Sequence, residues 1–247
     1  MTLCNTKNDI NHWENVDLKP IQEPGLRYWF TSDFDTDAIL RNKSPYTVGD
    51  GSIINTTRQL VHPSNIFGSC MSFNGNGYVK LPNAVLYDQL RFTLSSWFKT
   101  TSSNLNMRLY YEGSSISNVP IIMLSLNDSI PGEVKFGIRN NNGIIESVSS
   151  TNVTSLDGKW HNIAGLSDLS GRKLYYDGIL KVSNTIYPTL ATTNTSTIGA
   201  EKRVGDYSGH ITGLIGETIV STSNYTDAEM YYNYTHSPFY YLQQEEL

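Results

Sequence analysis

The chain has 247 residues, a formal net charge of −5, 17% charged and 11% aromatic residues, which is enough for one large domain with a sizeable core. The acidic balance argues against a nucleic-acid-binding protein, which carries a basic face, and no run reaches the ~18–20 apolar residues of a membrane span. Low charged content with abundant Asn, Ser, Thr, Gly and Tyr points to an all-β chain with polar turns.

Residues 1–24 are polar, with Trp13 as their only aromatic residue, and lack the apolar stretch of a secretory signal. They end in Lys19-Pro20-Ile21-Gln22-Glu23-Pro24-Gly25, where two prolines around a short extended piece predict an arm lying on a surface. Leu26 to Phe30 forms a first strand. Met71-Ser72-Phe73 and Tyr78-Val79-Lys80-Leu81 flank Asn74-Gly75-Asn76-Gly77, which predicts a tight hairpin. Phe92 to Lys99 is a strand with Phe92, Leu94 and Phe98 on one face and Trp97 on the other. Glu133 to Arg139 alternates strictly, with Val134, Phe136 and Ile138 inward.

Trp160 to Gly165, Lys173 to Tyr176 and Ile211 to Thr222 continue the series. The spacing of turn signals fits a sandwich or jelly roll. Thr226-Asp227-Ala228-Glu229 has the form of a capping box and predicts a short helix to Tyr232. Beyond it, Phe239, Tyr240, Tyr241 and Leu242 form an apolar tail that is expected to pack on something. Cys4 and Cys70 stand in dissimilar contexts and make neither a disulfide framework nor a zinc site.

An ordered set of landmarks resembles the laminin-G-like, concanavalin A-like jelly-roll superfamily. Gly25-Leu26-x-x-Trp29 opens it, and Phe67-Gly68-x-x-Met71-x-Phe73-Asn74-Gly75 is similar to the family hairpin. Phe92 to Lys99 resembles the family's Trp-bearing strand. Asp157-Gly158-Lys159-Trp160-His161-Asn162-Ile163-Ala164, followed by Lys173-Leu174-Tyr175-Tyr176-Asp177-Gly178, resembles its core pair. Gly213-Leu214-Ile215-Gly216-Glu217, then Asp227 to Met230, resembles its close. The resemblance implies a two-sheet antiparallel jelly-roll sandwich with one short C-terminal helix. The expected domain is 25–235, with an arm at 1–24 and a tail at 236–247. Trp97 and Trp160 are expected between the sheets, with His161 as a hydrogen-bonding surface residue.

The same superfamily includes glycoside hydrolases, whose two carboxylates lie close on one strand. No Glu-x-Asp-x-x-Glu occurs, and Glu112, Glu133, Glu146, Glu201 and Glu217 each lack a partner carboxylate two or four residues away. No nucleophile elbow or phosphate loop is present, and His12, His62, His161, His210 and His236 show no metal-ligand spacing. A non-catalytic protein is expected. Asp33, Asp35 and Asp37 alternate like the start of a calcium loop, making structural calcium the one cofactor candidate. Where the family would supply calcium ligands, this chain has Asn42-Lys43-Ser44 and Gly216, so a solvated acidic loop is favoured.

Glycan binding through edge loops is the expected activity, using aromatics for stacking and polar side chains for hydroxyls. The candidates are Arg108, Tyr110 and Tyr111 in 104–113, Asn141 in 140–143, and Arg203, Asp206 and Tyr207 in 201–207. The combined expectation is a lectin-like structural subunit on the surface of a phage or virus particle. Arm and tail would meet other subunits in a homo-oligomer or larger complex, and cell-surface glycans would be the external partner. The alternative is a stand-alone carbohydrate-binding or adhesion module of a bacterial surface protein.

Overall fold

The computed structural model describes residues 19–31, 38–46, 48–60 and 69–246. Cys4, Trp13, Asp33, Asp35, Asp37, Phe67 and Gly68 lie outside the described residues. In chain order the strands are β1 (Leu26–Phe30), β2 (Ile39–Leu40), β3 (Gly51–Ile54), β4 (Thr57–Leu60), β5 (Ser69–Asn74) and β6 (Tyr78–Lys80). They continue as β7 (Phe92–Lys99), β8 (Met107–Gly113), β9 (Ile121–Leu126), β10 (Val134–Arg139), β11 (Val148–Ser150) and β12 (His161–Asp168). Then follow β13 (Gly171–Tyr176), β14 (Ile179–Asn184), β15 (Thr195–Ile198), β16 (Glu201–Lys202), β17 (Tyr207–Ser208) and β18 (Thr212–Ser221). Two helices close the chain, α1 (Asp227–Thr235) and α2 (Pro238–Glu245).

Apart from β16 and β17, which pair with each other, the strands form two antiparallel sheets. The first runs β14-β13-β12-β7-β18-β5-β4, with β1 also on β18; the second runs β11-β10-β9-β8-β15-β6-β3-β2. Alternation packs one face of each sheet into a shared core. Phe92, Leu94, Phe98, Ile163 and Leu174 from the first meet Tyr110, Ile122, Leu124, Val134, Phe136 and Ile138 from the second. The sandwich expected from the landmarks is therefore present, including Val134, Phe136 and Ile138 as inward residues. Asp177 and Gly178 take φ of 50° and 71° and join β13 to β14 as a tight hairpin.

Three local expectations are corrected. The Asn74–Gly77 turn is an arch rather than a hairpin, because β5 pairs with β4 and β18 while β6 pairs with β3 and β15. A sequence cannot distinguish the two from its turn residues alone, since both need a sharp polar corner. Trp97 and Trp160 are buried, but outside the sandwich. Trp97 alternates away from Phe98 and stacks on Tyr234 at 5.3 Å, while Trp160 lies 4.5 Å from the Phe239 ring. Finally, there are two C-terminal helices.

Helix α1 starts at the expected capping box: Thr226 and Glu229 exchange side-chain and backbone hydrogen bonds. Asp227 accepts from Lys173 Nζ at 2.7 Å and Tyr175 hydroxyl at 2.6 Å, which fixes its first turn to β13. Ser237 caps α2 and Pro238 fills its first turn. Phe239 and Leu242 are buried with Cys70, Trp97, Trp160 and Tyr234 on the outer face of the first sheet. Glu246 completes the attachment by accepting from Trp160 N and pairing with Lys99.

Within the described residues, 236–246 is thus no free tail awaiting a partner. The Phe239 side chain alone gains ~1.5–3 kcal/mol from burial on its own domain. The end of the presumed arm is integrated in the same way. Ile21 N donates to Asn233 Oδ1 at 2.9 Å, and Glu23 accepts from Ser221, Ser223 and Tyr225. Gly216 explains how α2 comes so close: a Cβ there would stand 2.5 Å from Phe239 Cζ.

Candidate functional site

With α1 and α2 covering the first sheet, the outer face of the second sheet is the open one. In β9, Ile122, Leu124 and Leu126 enter the core, so Ile121, Met123 and Ser125 turn outward. On the neighbouring strand, Lys135 is opposite Ser125, Gly137 opposite Met123 and Arg139 opposite Ile121. On the other side Arg108 is also opposite Ser125 and Tyr111 opposite Met123. Gly137 supplies no side chain, and the Met123 side chain lies over it, its Cε 2.5 Å from where a Cβ would stand; beside this pair the sheet surface dips into a cavity of about 180 Å³. Its floor is Ile121 and Met123, and its rim carries Arg108, Lys135, Arg139, Arg203 and Asp128. A second cavity of about 560 Å³ adjoins it, sharing Asn106, Arg108 and Arg203 and adding Glu201 and His210.

An alternating chain of charges orders this surface. Lys135 Nζ lies 2.6 Å from Asp128 Oδ2, and Arg108 Nη1 lies 2.8 Å from Asp128 Oδ1. Arg108 Nε lies 2.9 Å from Glu201 Oε2, and Arg203 Nε 3.2 Å from Glu201 Oε1. Burial pushes the Asp128 carboxyl up, but the Lys135 and Arg108 hydrogen bonds and charges more than offset this and hold it below the usual range. The Arg108 side chain is 3% exposed, so its position is fixed from both sides. Rigid, charge-assisted donors around an apolar floor suit a polar ligand with one apolar face.

The expected site residues divide. Arg108 and Arg203, from two separate segments, do converge on this groove. Tyr110 and Tyr111 are corrected: both are fully buried and offer no stacking surface. The physical reason is that β8 is an interior strand between β9 and β15 rather than an edge loop. Tyr110 enters the core, where its hydroxyl donates to Glu112 Oε1 at 2.6 Å. Tyr111 packs under Ile121 and Met123, and burial pushes its hydroxyl up to about 12. Asn141 exchanges hydrogen bonds with Thr192 and pins a turn away from the groove. Asp206 is exposed between β16 and β17; Tyr207 stacks on Tyr78 at 3.8 Å with Lys202 Nζ 4.9 Å from its ring centre.

Lys135, Gly137, Arg139, Asp128 and Ser125 were not anticipated. Their signal lay in the alternation of β10, whose outward set is Lys135, Gly137 and Arg139 once Val134, Phe136 and Ile138 are inward. His161 is also corrected. It is buried, with Nδ1 2.8 Å from Asp177 Oδ2 and Nε2 3.0 Å from Asp157 Oδ1. Burial pushes its pKa down, yet the two carboxylates prevail and raise it.

The family's calcium site does not fit the described residues. Asn42 Oδ1 accepts from the backbone of Trp29 and Ser44, Ser44 Oγ donates to Leu26 O, and the space beside Gly216 is filled by Phe239. Among the described residues no cluster of three or more His, Cys, Asp or Glu side chains is arranged to hold a metal. No helix among them is long and apolar enough to cross a membrane.

Comparison with solved structures supports the architecture. Domain 4 of AbnA, an extracellular GH43 arabinanase from Geobacillus stearothermophilus in complex with arabinotriose, superposes with TM-score 0.64 at 17% identity, covering 84% of this chain and 97% of that one. The Ruminococcus gnavus IT-sialidase CBM40 bound to α2,6-sialyllactose gives TM-score 0.52 at 18% identity, covering 63% and 95%. The botulinum neurotoxin serotype D binding domain gives 0.60 at 17% identity, covering 85% of this chain and 51% of that one. At these identities the likeness is one of fold. No curated protein matches the chain. The model of the concanavalin A-like lectin/glucanases superfamily matches residues 73–230, and the chain belongs to that superfamily.

Proposed function

We propose that the chain is a non-catalytic glycan-binding domain that holds its ligand in the groove on the outer face of the second sheet. The observation that carries this is the convergence of Arg108, Lys135, Arg139 and Arg203 on one cavity beside Ile121, Met123 and Gly137. Hydroxyl-rich rings need such fixed donors and a flat apolar patch together. Neighbours of the same fold include an arabinanase domain in complex with arabinotriose and a sialidase module bound to sialyllactose. That precedent supports the reading at the level of fold.

Catalysis is argued against by the groove's own carboxylates. Asp128 and Glu201 are held by cations, and the low pKa of Asp128 is the opposite of what a general acid needs. The carboxyls raised by burial, Glu112 and Glu217, are buried away from the groove, under other side chains. Because α2 is buried on its own domain, the apolar tail gives no support to a particle subunit. Display on a phage or virus particle rests on the Asn-rich, low-charge composition, and detection of the chain in purified particles tests it. The module of a bacterial surface protein is the competing setting.

The test is polysaccharide affinity electrophoresis with wild type and Gly137→Leu. The leucine would press on the Met123 side chain and fill the groove. Retardation of the wild type by at least one polysaccharide, lost in the variant while its circular dichroism and a cooperative melt show a folded domain, is expected. Equal retardation of both would move the site elsewhere, and no retardation of the wild type by any polysaccharide would overturn the function.

A further inference from the structure

The composition of the groove says more about its ligand than that it is a sugar. Four cations, Arg108, Lys135, Arg139 and Arg203, face two carboxylates, Asp128 and Glu201, in the adjoining cavities. Two positive charges are therefore left over, in a chain whose formal net charge is −5. The cations are not equivalent. Arg108 is spent between Asp128 and Glu201, Lys135 on Asp128, and Arg203 on Glu201.

Arg139 has no ion pair or side-chain hydrogen bond among the described residues, although it is half-buried and lines the cavity beside Ile121. A guanidinium withdrawn from water without a counter-charge is costly, and its planar fork matches a carboxylate in bidentate geometry. An unpaired guanidinium on the cavity wall suits a ligand that brings its own acceptor oxygens.

We propose that the groove selects acidic, carboxylate-bearing sugars, with Arg139 as the residue that receives the carboxylate. This rests on the groove being the glycan site. The ion-paired cations then set the potential and orient hydroxyls, while Arg139 decides between charged and neutral ligands. The two excess charges also raise the on-rate for anions at low ionic strength.

The experiment is a printed array carrying uronic-acid, sialylated and neutral glycans, followed by calorimetric titration of the best matched pair, such as trigalacturonic acid against its methyl ester. Expected is an acidic member bound at least about tenfold more tightly than its neutral counterpart, the preference shrinking as salt is raised. Arg139→Gln should abolish the preference with the melting temperature unchanged, and Arg139→Lys should restore part of it. Neutral and acidic members bound equally, or a preference that survives Arg139→Gln, would overturn the charge assignment while leaving the groove as a glycan site. Binding to no glycan at all would overturn the groove reading itself, and the charge assignment with it.

Discussion

Glu217 lies where β18 bulges between Ile215 and Thr218, and its Oε1 accepts the indole hydrogen of Trp29 at 2.8 Å. Burial pushes its carboxyl up to about 7 from 4.5, against the opposing pull of Trp29, Ser237 and the Lys43 charge. The folded state therefore keeps a proton between pH 4.5 and about 7 that the unfolded chain has already lost. Stability falls as pH rises through that window. At roughly 1.4 kcal/mol per pH unit, the gap amounts to about 3 kcal/mol above pH 7. Glu217→Gln keeps the acceptor for Trp29 and removes the titration. For a domain of this size each kcal/mol moves Tm by ~2–4 °C, so the variant should melt ~6–12 °C above wild type at about pH 8. At about pH 4.5 the two should melt together. Differential scanning calorimetry of both proteins across this range measures the difference directly, and other titrating groups cancel in it. A difference independent of pH, or a less stable variant at high pH, would refute the reasoning.

Phe239→Ala should cost ~3–5 kcal/mol in urea unfolding, and Gly216→Ala ~1–3 kcal/mol by pressing on the same ring; losses below about 1 kcal/mol would return the C-terminal segment to the role of a free tail. His161 is stabilised by its charge between Asp157 and Asp177, so its contribution is complete below the unfolded value of 6.5 and is lost as pH climbs through its raised folded value. Melts of His161→Gln against wild type should therefore converge at high pH and diverge on acidification. Glu146→Gln strands Arg172, which is 1% exposed and paired with Glu146, and should destabilise by ~3–5 kcal/mol, read as a lower denaturant midpoint with unchanged slope.

Much of the sandwich was legible because its strands obey simple alternation. Phe92 to Phe98 and Val134 to Ile138 declare which side chains face inward, and Asp177-Gly178 and Thr226 to Glu229 carry local signals that need no tertiary context. The second helix was also signalled, by Ser237-Pro238 as cap and first turn, but four consecutive apolar or aromatic residues from Phe239 read more strongly as an exposed patch. What decides its fate is Gly216, distant in sequence, whose missing side chain makes the socket for Phe239. The groove was half legible for a similar reason. Arg108 and Arg203 stood out as polar candidates, but Tyr110 and Tyr111 were misjudged because nothing local shows that β8 lies between two other strands. Lys135 and Arg139 carry no signal of their own, because charged residues on the outward half of an alternating strand are the ordinary solvent-facing pattern.

Amide chemical-shift mapping of the domain during titration with a glycan it retains tests the central claim most directly. Perturbations should concentrate at Arg108, Met123, Lys135, Gly137, Arg139 and Arg203, and should vanish in Gly137→Leu. Perturbations centred instead on a separate cavity of about 490 Å³, lined by His161, Tyr176, Asp177 and Tyr234, or spread along the covered face of the first sheet, would contradict the assignment of the groove.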